Sequence, residues 1–346
     1  MSASYRAVLW NRQKKIYDLI LAAFVIGFLL IFILVTLLLN PEATQETLII
    51  RSTAALALFL LHLILCIGPL ARLNPLYLPL LYNRRHLGVT MFFIASIHGF
   101  FSIMQFHALG NINPLLSVFL SNTHYTSLIK FPFEVFGVAA LIIFFLMAVT
   151  SHDFWLHNLT PHVWKILHMG VYVAYASIIF HVLLGGLQYE TSPVFIAFLS
   201  LGCCTVISLH LLAGRRERNE DKKMMHSQDF VKVCSVHEIP ENRAKVVALN
   251  GERIAIFRYD KKLSAISNVC RHQNGPLGEG RIIDGCITCP WHGYQYLPQN
   301  GSSPPPFKEK VATFDVRIAD SDVWINPRPY PEGTARPPAM INDDRR

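Results

Sequence analysis

Two short stretches decide the character of the C-terminal half: Cys270-Arg271-His272 and, after sixteen intervening residues, Cys289-Pro290-Trp291-His292-Gly293. Two Cys and two His can hold a zinc ion, or a [2Fe–2S] cluster in which two thiolates bind one iron and two imidazoles bind the other. Zinc sites usually group their ligands as Cys-x-x-Cys and His-x-x-His pairs, whereas here each stretch carries one ligand of each type. The spacing therefore favours the iron–sulfur cluster. The predicted ligands are Cys270, His272, Cys289 and His292.

The residues around this motif predict a small all-β domain over 229–328. Short runs of β-forming residues are separated by turn sequences such as Asn250-Gly251 and Tyr259-Asp260-Lys261. The predicted strands cover 230–236, 244–248, 253–258, 263–267, 286–288, 310–316 and 322–325. Residues 214–228 are expected to form a charged linker, and residues 329–346 a disordered tail.

The motif and its flanks resemble Rieske-type ferredoxins and the Rieske domains of ring-hydroxylating dioxygenase systems. The resemblance includes the Gly-rich stretch 275–280 and Tyr296, and it implies a [2Fe–2S] cluster. Respiratory Rieske proteins differ, because they carry a disulfide between the positions of Gly275 and Trp291. They also have a Ser at the position of Tyr294, whose hydroxyl binds a cluster sulfur. Since hydrogen bonds to sulfur raise the potential, the resemblance implies a cluster of low potential here.

The first 213 residues have the composition of a membrane domain. They hold 16 charged residues, whereas the last 133 residues hold 38. Six apolar stretches are each long enough to span a bilayer, which takes about 20 residues. These stretches are 16–39, 49–71, 87–109, 131–150, 163–186 and 192–213. We therefore expect an α-helical integral membrane domain of six helices over 1–213, followed by the all-β domain.

Basic residues in the predicted loops set the orientation of this domain. They precede the first span, separate spans two and three, lie near the turn between spans four and five, and follow span six. These residues are Arg6, Arg12, Lys14, Lys15, Arg72, Arg84, Arg85, Lys165, Arg215, Arg216, Arg218, Lys222 and Lys223. Basic loops face the cytoplasm. Both termini and the β domain are therefore expected to be cytoplasmic, with the chain in what we expect to be a bacterial inner membrane.

Histidines inside the predicted spans indicate a cofactor. His98, His168 and His181 fall within spans, where an ionisable group costs several kcal/mol and marks function by default. A b-type haem needs axial imidazoles from facing helices. His168 and His181 are thirteen residues apart, which is roughly 20 Å along a helix, so they would bind different haems. A single His such as His62 or His210 is better explained by a hydrogen bond to a neighbouring helix.

Two stretches resemble the ferric reductase-like transmembrane domain. They are Arg84-Arg85-His86-Leu87-Gly88, leading to His98, and Trp164-Lys165-Ile166-Leu167-His168, leading to His181. Within that family they resemble the haem-binding membrane subunit of the bacterial methionine sulfoxide reductase system, over roughly residues 50–190. The resemblance implies that His98, His168 and His181 are haem ligands.

The fourth haem ligand stays open between two histidines. NADPH oxidases and ferric reductases use two His on the third span and two on the fifth. On that pattern His86 would pair with His168 near the cytoplasmic face, and His98 would pair with His181 nearer the outside. His62, at a similar depth on the second span, is the competing partner for His168. One or two haems are therefore expected, with His86 slightly favoured over His62.

The combination predicts a one-electron relay across the membrane. No G-x-G-x-x-G follows a predicted strand, so we expect no dinucleotide site. A cytoplasmic donor resembling a ferredoxin or flavin reductase would supply the cluster, and an extracytoplasmic protein or small molecule would accept electrons. Nucleic acid is not an expected partner, because the net charge of the last 133 residues is only +4.

Three other functions are weighed against the relay. A terminal ferric, metal or oxygen reductase acting at the outer haem is the main alternative, with His107 and His124 as possible metal ligands. A redox-sensing regulator of transport would lack haem. A Rieske oxygenase is not expected, because its mononuclear iron needs a large further domain and only residues 329–346 follow the β domain in this sequence.

Overall fold

The protein is described here by a computed structural model, which divides it into a helical unit and a second unit rich in β-strands. The described residues are 12–81, 83–120, 131–151, 155, 159, 161–188, 190, 192–222, 229–272, 274–291 and 293–341. The helical unit lies between residues 12 and 70 and between 83 and 211. The second unit comprises residues 71–81 and the described residues from 212 onward.

Long apolar runs form most of the helices. The described helices are α1 (Arg12–Leu39), α2 (Gln45–Leu73), α3 (Leu78–Leu81), α4 (Arg84–His107), α5 (Pro114–Leu120), α6 (Glu134–Thr150), α7 (Pro161–Leu184) and α8 (Pro193–Lys222). Along α1 the large side chains of Leu30 and Leu38 are 63% and 73% exposed. Apolar side chains exposed along a whole helix suit a segment surrounded by lipid.

The expected count of six spans is not exact. Five of the described helices are long and apolar enough to cross a membrane, namely α1, α2, α4, α7 and α8. The remaining predicted span, 131–150, corresponds to α6, which has only 17 residues. That length is at the lower limit for a membrane-spanning helix. The difference arises because Phe131 and Phe133 extend the apolar run beyond the start of the helix at Glu134.

Helices α4, α6 and α7 pack closely through small residues. A β-carbon at Gly99 would lie 3.2 Å from Leu141 in α6, and one at Gly170 would lie 3.3 Å from Ile143. Glycines at such contacts let membrane helices approach each other. This packing brings together the helices that carry His98 and His181.

The second unit contains three antiparallel sheets. Its strands are β1 (Val231–Ser235), β2 (Ala244–Leu249), β3 (Glu252–Tyr259), β4 (Lys262–Ser267), β5 (Arg281–Ile283), β6 (Cys286–Thr288), β7 (Gln295–Tyr296), β8 (Thr313–Phe314), β9 (Val316–Ala319), β10 (Asp322–Ile325) and β11 (Ala339–Met340). The sheet orders are β1-β10-β9, β11-β4-β3-β2 with β8 also on β4, and β5-β6-β7. Six of the seven predicted strands recur with small shifts at their ends, whereas the predicted strand 310–316 is divided between β8 and β9. Strands β5, β7 and β11 were not predicted.

Two predicted turns join the central strands. Asn250 and Gly251, between β2 and β3, have φ of 47° and 86°. Asp260 and Lys261, between β3 and β4, have φ of 45° and 58°. Two consecutive residues with positive φ form the tight turn that matches the twist of a hairpin, which is why Asn-Gly predicts one so well.

The predicted charged linker begins as a helix, and most of the predicted tail is ordered. Helix α8 continues through the charged sequence to Lys222, so the first part of 214–228 is helical. Residues 329–341 are not a disordered tail. Strand β11 pairs with β4, and the residues between β10 and β11 form hydrogen bonds with Asp315. One carboxylate oxygen of Asp315 accepts from Arg336 over 2.6 Å and the other accepts from Tyr330 over 2.8 Å. Residues 342–346 lie outside the described residues.

Candidate functional site

The first ligand loop follows β4 and is closed by main-chain hydrogen bonds. The N–H of Cys270 donates to the carbonyl of Gly275 over 2.9 Å. The N–H of Asn274 donates to the carbonyl of Cys270 over 2.7 Å. Asn274 has a φ of 57°, in the left-handed region that Asn tolerates better than most residues. These bonds close the loop in which His272 lies.

The second ligand loop follows β6 and has the same closure. The N–H of Cys289 donates to the carbonyl of Tyr294 over 2.8 Å, and the N–H of Gly293 donates to the carbonyl of Cys289 over 2.9 Å. Gly293, which corresponds in place to Asn274, has a φ of 73°. Each loop thus presents its Cys from an equivalent backbone conformation. His292 lies outside the described residues.

The two loops contact each other at the predicted ligands. Cys270 and Cys289 are 0% and 1% exposed. A β-carbon at Gly275 would lie 2.8 Å from the Sγ atom of Cys289 and 3.1 Å from the ring of Trp291. The absence of a side chain at Gly275 therefore makes room for a thiolate. The indole of Trp291 packs on Gly275. These are the two positions that carry the disulfide in respiratory Rieske proteins.

Two tyrosines surround this site and have different partners. The Tyr296 hydroxyl accepts from the N–H of Arg271 over 3.0 Å and lies 3.4 Å from the Sγ atom of Cys270. Burial, and next the proximity of Cys270, raise the pKa of Tyr296. Tyr294 instead hydrogen-bonds the carboxylate of Glu309. Burial, and next this bond, raise the pKa of Tyr294. Both phenols are therefore neutral donors near pH 7.

The donor set fits a two-iron cluster. In a Rieske cluster two thiolates bind one iron and two imidazoles bind the other. Two buried thiols from equivalent loops, with His272 beside them and room at Gly275, match that arrangement.

In the helical unit, His98 and His181 face each other. Their ring centroids are 6.3 Å apart and their planes are inclined by 81°. The Nδ1 atom of His98 donates to the carbonyl of Ile50 over 3.1 Å, and that of His181 donates to the carbonyl of Phe133 over 3.0 Å. A hydrogen bond at Nδ1 fixes the tautomer that presents Nε2 to a metal.

The separation of these imidazoles suits one metal between them. Two metal–nitrogen bonds of about 2 Å, with about 1 Å more from each nitrogen to its ring centre, add to about 6 Å. Gly137 of α6 lies against His181, since a β-carbon there would be 2.8 Å from Nδ1. The residues at this place therefore fit an axially ligated haem.

His168 and His86 lie with other partners. The Nδ1 atom of His168 donates to the carbonyl of Trp164 over 3.1 Å, and its ring stacks on the Trp164 indole at 3.6 Å. The Nδ1 atom of His86 donates to the carboxylate of Asp18 over 2.6 Å. The bond at Nδ1 leaves Nε2 of His86 as the nitrogen that could bind a metal, whereas Nε2 of His168 lies 3.4 Å from the hydroxyl of Ser151. No ring contact between His86 and His168 is seen among the described residues.

His62 is enclosed by packed side chains. Its Nε2 atom lies 3.1 Å from the hydroxyl of Tyr175, and its ring meets Phe198 edge to face at 5.9 Å. A β-carbon at Gly202 would lie 2.6 Å from Nδ1 of His62. The residue is only 7% exposed. Its contacts are those of a histidine hydrogen-bonded between helices, which was the simpler of the two interpretations.

The possible outer metal ligands are not brought together in the described residues. His107 is buried, and its Nδ1 atom lies 3.0 Å from the hydroxyl of Ser117. His124 lies outside the described residues. His107 is the last residue of α4, and its contact with Ser117 joins the end of α4 to α5.

Sequence reasoning missed several residues that position these groups. Asp18 could have been found, because it is the only acidic residue in the predicted span 16–39. The contact of Gly137 with His181 and that of Glu309 with Tyr294 had no local signal. Both depend on how distant parts of the chain pack.

Comparison with known proteins identifies both halves. Residues 229–315 match the Rieske [2Fe–2S] domain, and residues 51–179 match the ferric reductase-like transmembrane component. The biphenyl dioxygenase ferredoxin subunit of Pseudomonas sp. strain KKS102 is 33% identical over 100 residues, which are 28% of this chain and 91% of that protein. The anthranilate 1,2-dioxygenase ferredoxin subunit of Burkholderia cepacia is 30% identical over 93 residues, covering 27% of this chain and 86% of that protein.

Among solved structures, the Sphingomonas yanoikuyae B1 ferredoxin is similar to this chain with 24% identity and a TM-score of 0.27. The match covers 28% of this chain and 98% of the ferredoxin. The two domain matches do not overlap, and residues 180–228 lie between them. The chain therefore belongs to the Rieske [2Fe–2S] family and joins that domain to a ferric reductase-like transmembrane domain, as a membrane electron-transfer oxidoreductase.

Proposed function

We propose that this chain carries single electrons from a cytoplasmic donor to an acceptor on the other side of the membrane. Cys270, His272, Cys289 and His292 hold the [2Fe–2S] cluster at which electrons arrive. His168, with His86, holds an inner b-type haem, and His98 with His181 holds an outer one. When bound, these groups supply one-electron carriers of the kind that the two families use.

The observation that supports this function best is the facing pair His98 and His181. Each imidazole comes from a different helix, and each is oriented through Nδ1 by a main-chain carbonyl. Two such imidazoles in a helical membrane unit are suited to axial ligation of a flat macrocycle. The surrounding apolar side chains would exclude water from the metal and so influence its potential.

The proposed direction rests on charge. Basic loops favour a cytoplasmic position for the Rieske domain, where soluble reductants are present. Tyr294 stands in place of the Ser that raises the potential in respiratory relatives, so the cluster is suited to give electrons to haem. The terminal-reductase alternative gains no support from His107, which is buried against Ser117.

Haem content tests the membrane part of this proposal. The purified protein should give a pyridine haemochrome of b-type, with low-spin bands after reduction by dithionite. His98→Ala and His181→Ala should each remove the outer haem. His62→Ala is the matched control, because His62 is also a buried membrane histidine and should leave the haem content unchanged. Wild-type haem in both ligand variants would refute the assignment.

Electron transfer in inside-out vesicles tests the order of carriers. A cytoplasmic ferredoxin reductase with its reductant should reduce the haems of the wild-type protein. Cys289→Ser should abolish that reduction and leave direct reduction by dithionite intact. Haem reduction at the wild-type rate in this variant would show that electrons bypass the cluster.

A further inference from the structure

Tyr294 covers one face of a predicted cluster ligand. Its ring lies parallel to the imidazole of His272, with 4.5 Å between centroids and 6° between planes. Phe307 also contacts the phenol ring of Tyr294, edge to face with 4.9 Å between centroids. Tyr294 is only 4% exposed. The stack therefore joins the two ligand loops and shields His272 from water on that face.

The hydroxyl of Tyr294 is directed to a carboxylate. It donates to the Oε2 atom of Glu309, which also accepts from the N–H of Lys308 over 3.1 Å. The main chain of Glu309 is held in turn, because its carbonyl accepts from the N–H of Ser303 over 2.9 Å. The stack on His272 and the hydrogen bond to Glu309 thus place this carboxylate at the edge of the phenol that covers the predicted ligand.

We propose that Tyr294 and Glu309 are positioning residues that hold a negative charge beside the cluster and keep its reduction potential low. This inference rests on the proposed function, in which His272 is a cluster ligand. Reduction adds a negative charge to the cluster, so a fixed carboxylate nearby opposes it. A Ser at position 294 would favour reduction by donating a hydrogen bond to a cluster sulfur, whereas the hydroxyl of Tyr294 donates to Glu309.

Removal of this charge provides the test. The full-length protein is purified with its cluster, and the electron paramagnetic resonance signal of the reduced cluster is followed in a redox titration. Glu309→Gln keeps the side-chain shape and removes the charge. Loss of one negative charge near a cluster ligand in a partly polar site should change the one-electron equilibrium about tenfold, an upward shift of about 59 mV.

Two further variants control for indirect effects. Glu252→Gln makes the same charge change at the exposed β2–β3 hairpin and should leave the potential as in wild type. Tyr294→Phe keeps the stack but releases the carboxylate, so it should raise the potential by a smaller amount, about twofold in the equilibrium constant. If Glu309→Gln loses the cluster, the Tyr294→Phe shift decides the question.

The outcomes separate this inference from the proposed function. A wild-type protein without a Rieske signal would refute the cluster assignment itself. A normal wild-type signal, with Glu309→Gln and Tyr294→Phe both at the wild-type potential, would refute the role of the pair alone. An equal shift in Glu309→Gln and Glu252→Gln would also refute it, because the effect would then be one of overall charge.

Discussion

A methyl group at position 137 should disrupt the haem site between His98 and His181. In Gly137→Ala the new β-carbon would lie 2.8 Å from Nδ1 and 2.9 Å from Cε1 of His181. Ordinary van der Waals separation is about 3.5 Å, so the imidazole must retreat by roughly 0.7 Å. That retreat takes Nδ1 away from the carbonyl of Phe133, which it now meets at 3.0 Å.

The size of the effect follows from the loss of the hydrogen bond to Phe133 and from the loss of the orientation that this bond gives to His181. A neutral hydrogen bond contributes about 0.5–1.5 kcal/mol. Removing the partner that orients a metal-binding histidine typically lowers metal affinity by about 10–100-fold. We therefore expect Gly137→Ala to bind the outer haem at least about tenfold more weakly. Helix formation itself should not suffer, because Ala is favoured over Gly by about 1 kcal/mol in a helix.

The assay is haem per polypeptide, measured by pyridine haemochrome and by the low-spin bands of the reduced protein. Gly88→Ala in α4 is the matched control, since a β-carbon there meets nothing within 4 Å. The control should keep the wild-type haem content. Equal haem content and identical spectra in Gly137→Ala and Gly88→Ala would show that His181 does not bind haem, and the argument from the facing pair would fail.

Three other substitutions probe the second unit. Tyr296→Phe removes the hydroxyl 3.4 Å from Cys270 Sγ and should lower the cluster potential in a redox titration, by about 45 mV if the bond to the reduced cluster is about 1 kcal/mol stronger; no change would show that this hydroxyl does not bind the ligand sulfur. Gly275→Ala should reduce the iron and sulfide content, because its β-carbon would lie 2.8 Å from Cys289 Sγ; full occupancy would contradict the contact. Arg336→Ala should lower the free energy of unfolding of the second unit by about 1 kcal/mol, because it breaks the ion pair with Asp315. Loss of the cluster signal in a urea titration measures this, and an unchanged urea midpoint would mean that residues 329–341 do not stabilise the fold.

The β unit was largely predictable because its determinants are local. Asn250-Gly251 favours a hairpin by its backbone preference alone, and Asp260 tolerates the positive φ that the next turn requires. The segment 329–341 escaped prediction because it is held by partners distant in the sequence, among them Asp315 and strand β4. Pro and Arg in that segment give a composition typical of disorder. Its apolar residues do not repeat with the period of a strand or of a helix, so the sequence gives no sign of these contacts.

The helical unit shows the opposite balance. Apolar length predicted where the helices lie, but it could not separate the helix from the apolar residues preceding it, as at Phe131 and Glu134. Residue type identified His98 and His181 as candidates, yet spacing along one helix gave no information on which imidazoles face each other. The choice between His86 and His62 also depended on packing, since only the fold shows Tyr175 and Gly202 closing around His62.

The two units share one structural feature that makes their proposed cofactors separable by experiment. In each, a glycine from another segment lies against a ligand side chain: Gly137 against His181, and Gly275 against Cys289. An added methyl group would occupy the place of a ligand atom at either position, without changing charge or removing a ligand. Gly137→Ala should therefore reduce haem while the Rieske signal persists, and Gly275→Ala should reduce the Rieske signal while haem persists. If either substitution lost both signals, a general folding defect would explain the losses, and neither glycine could be credited with a role at its own site.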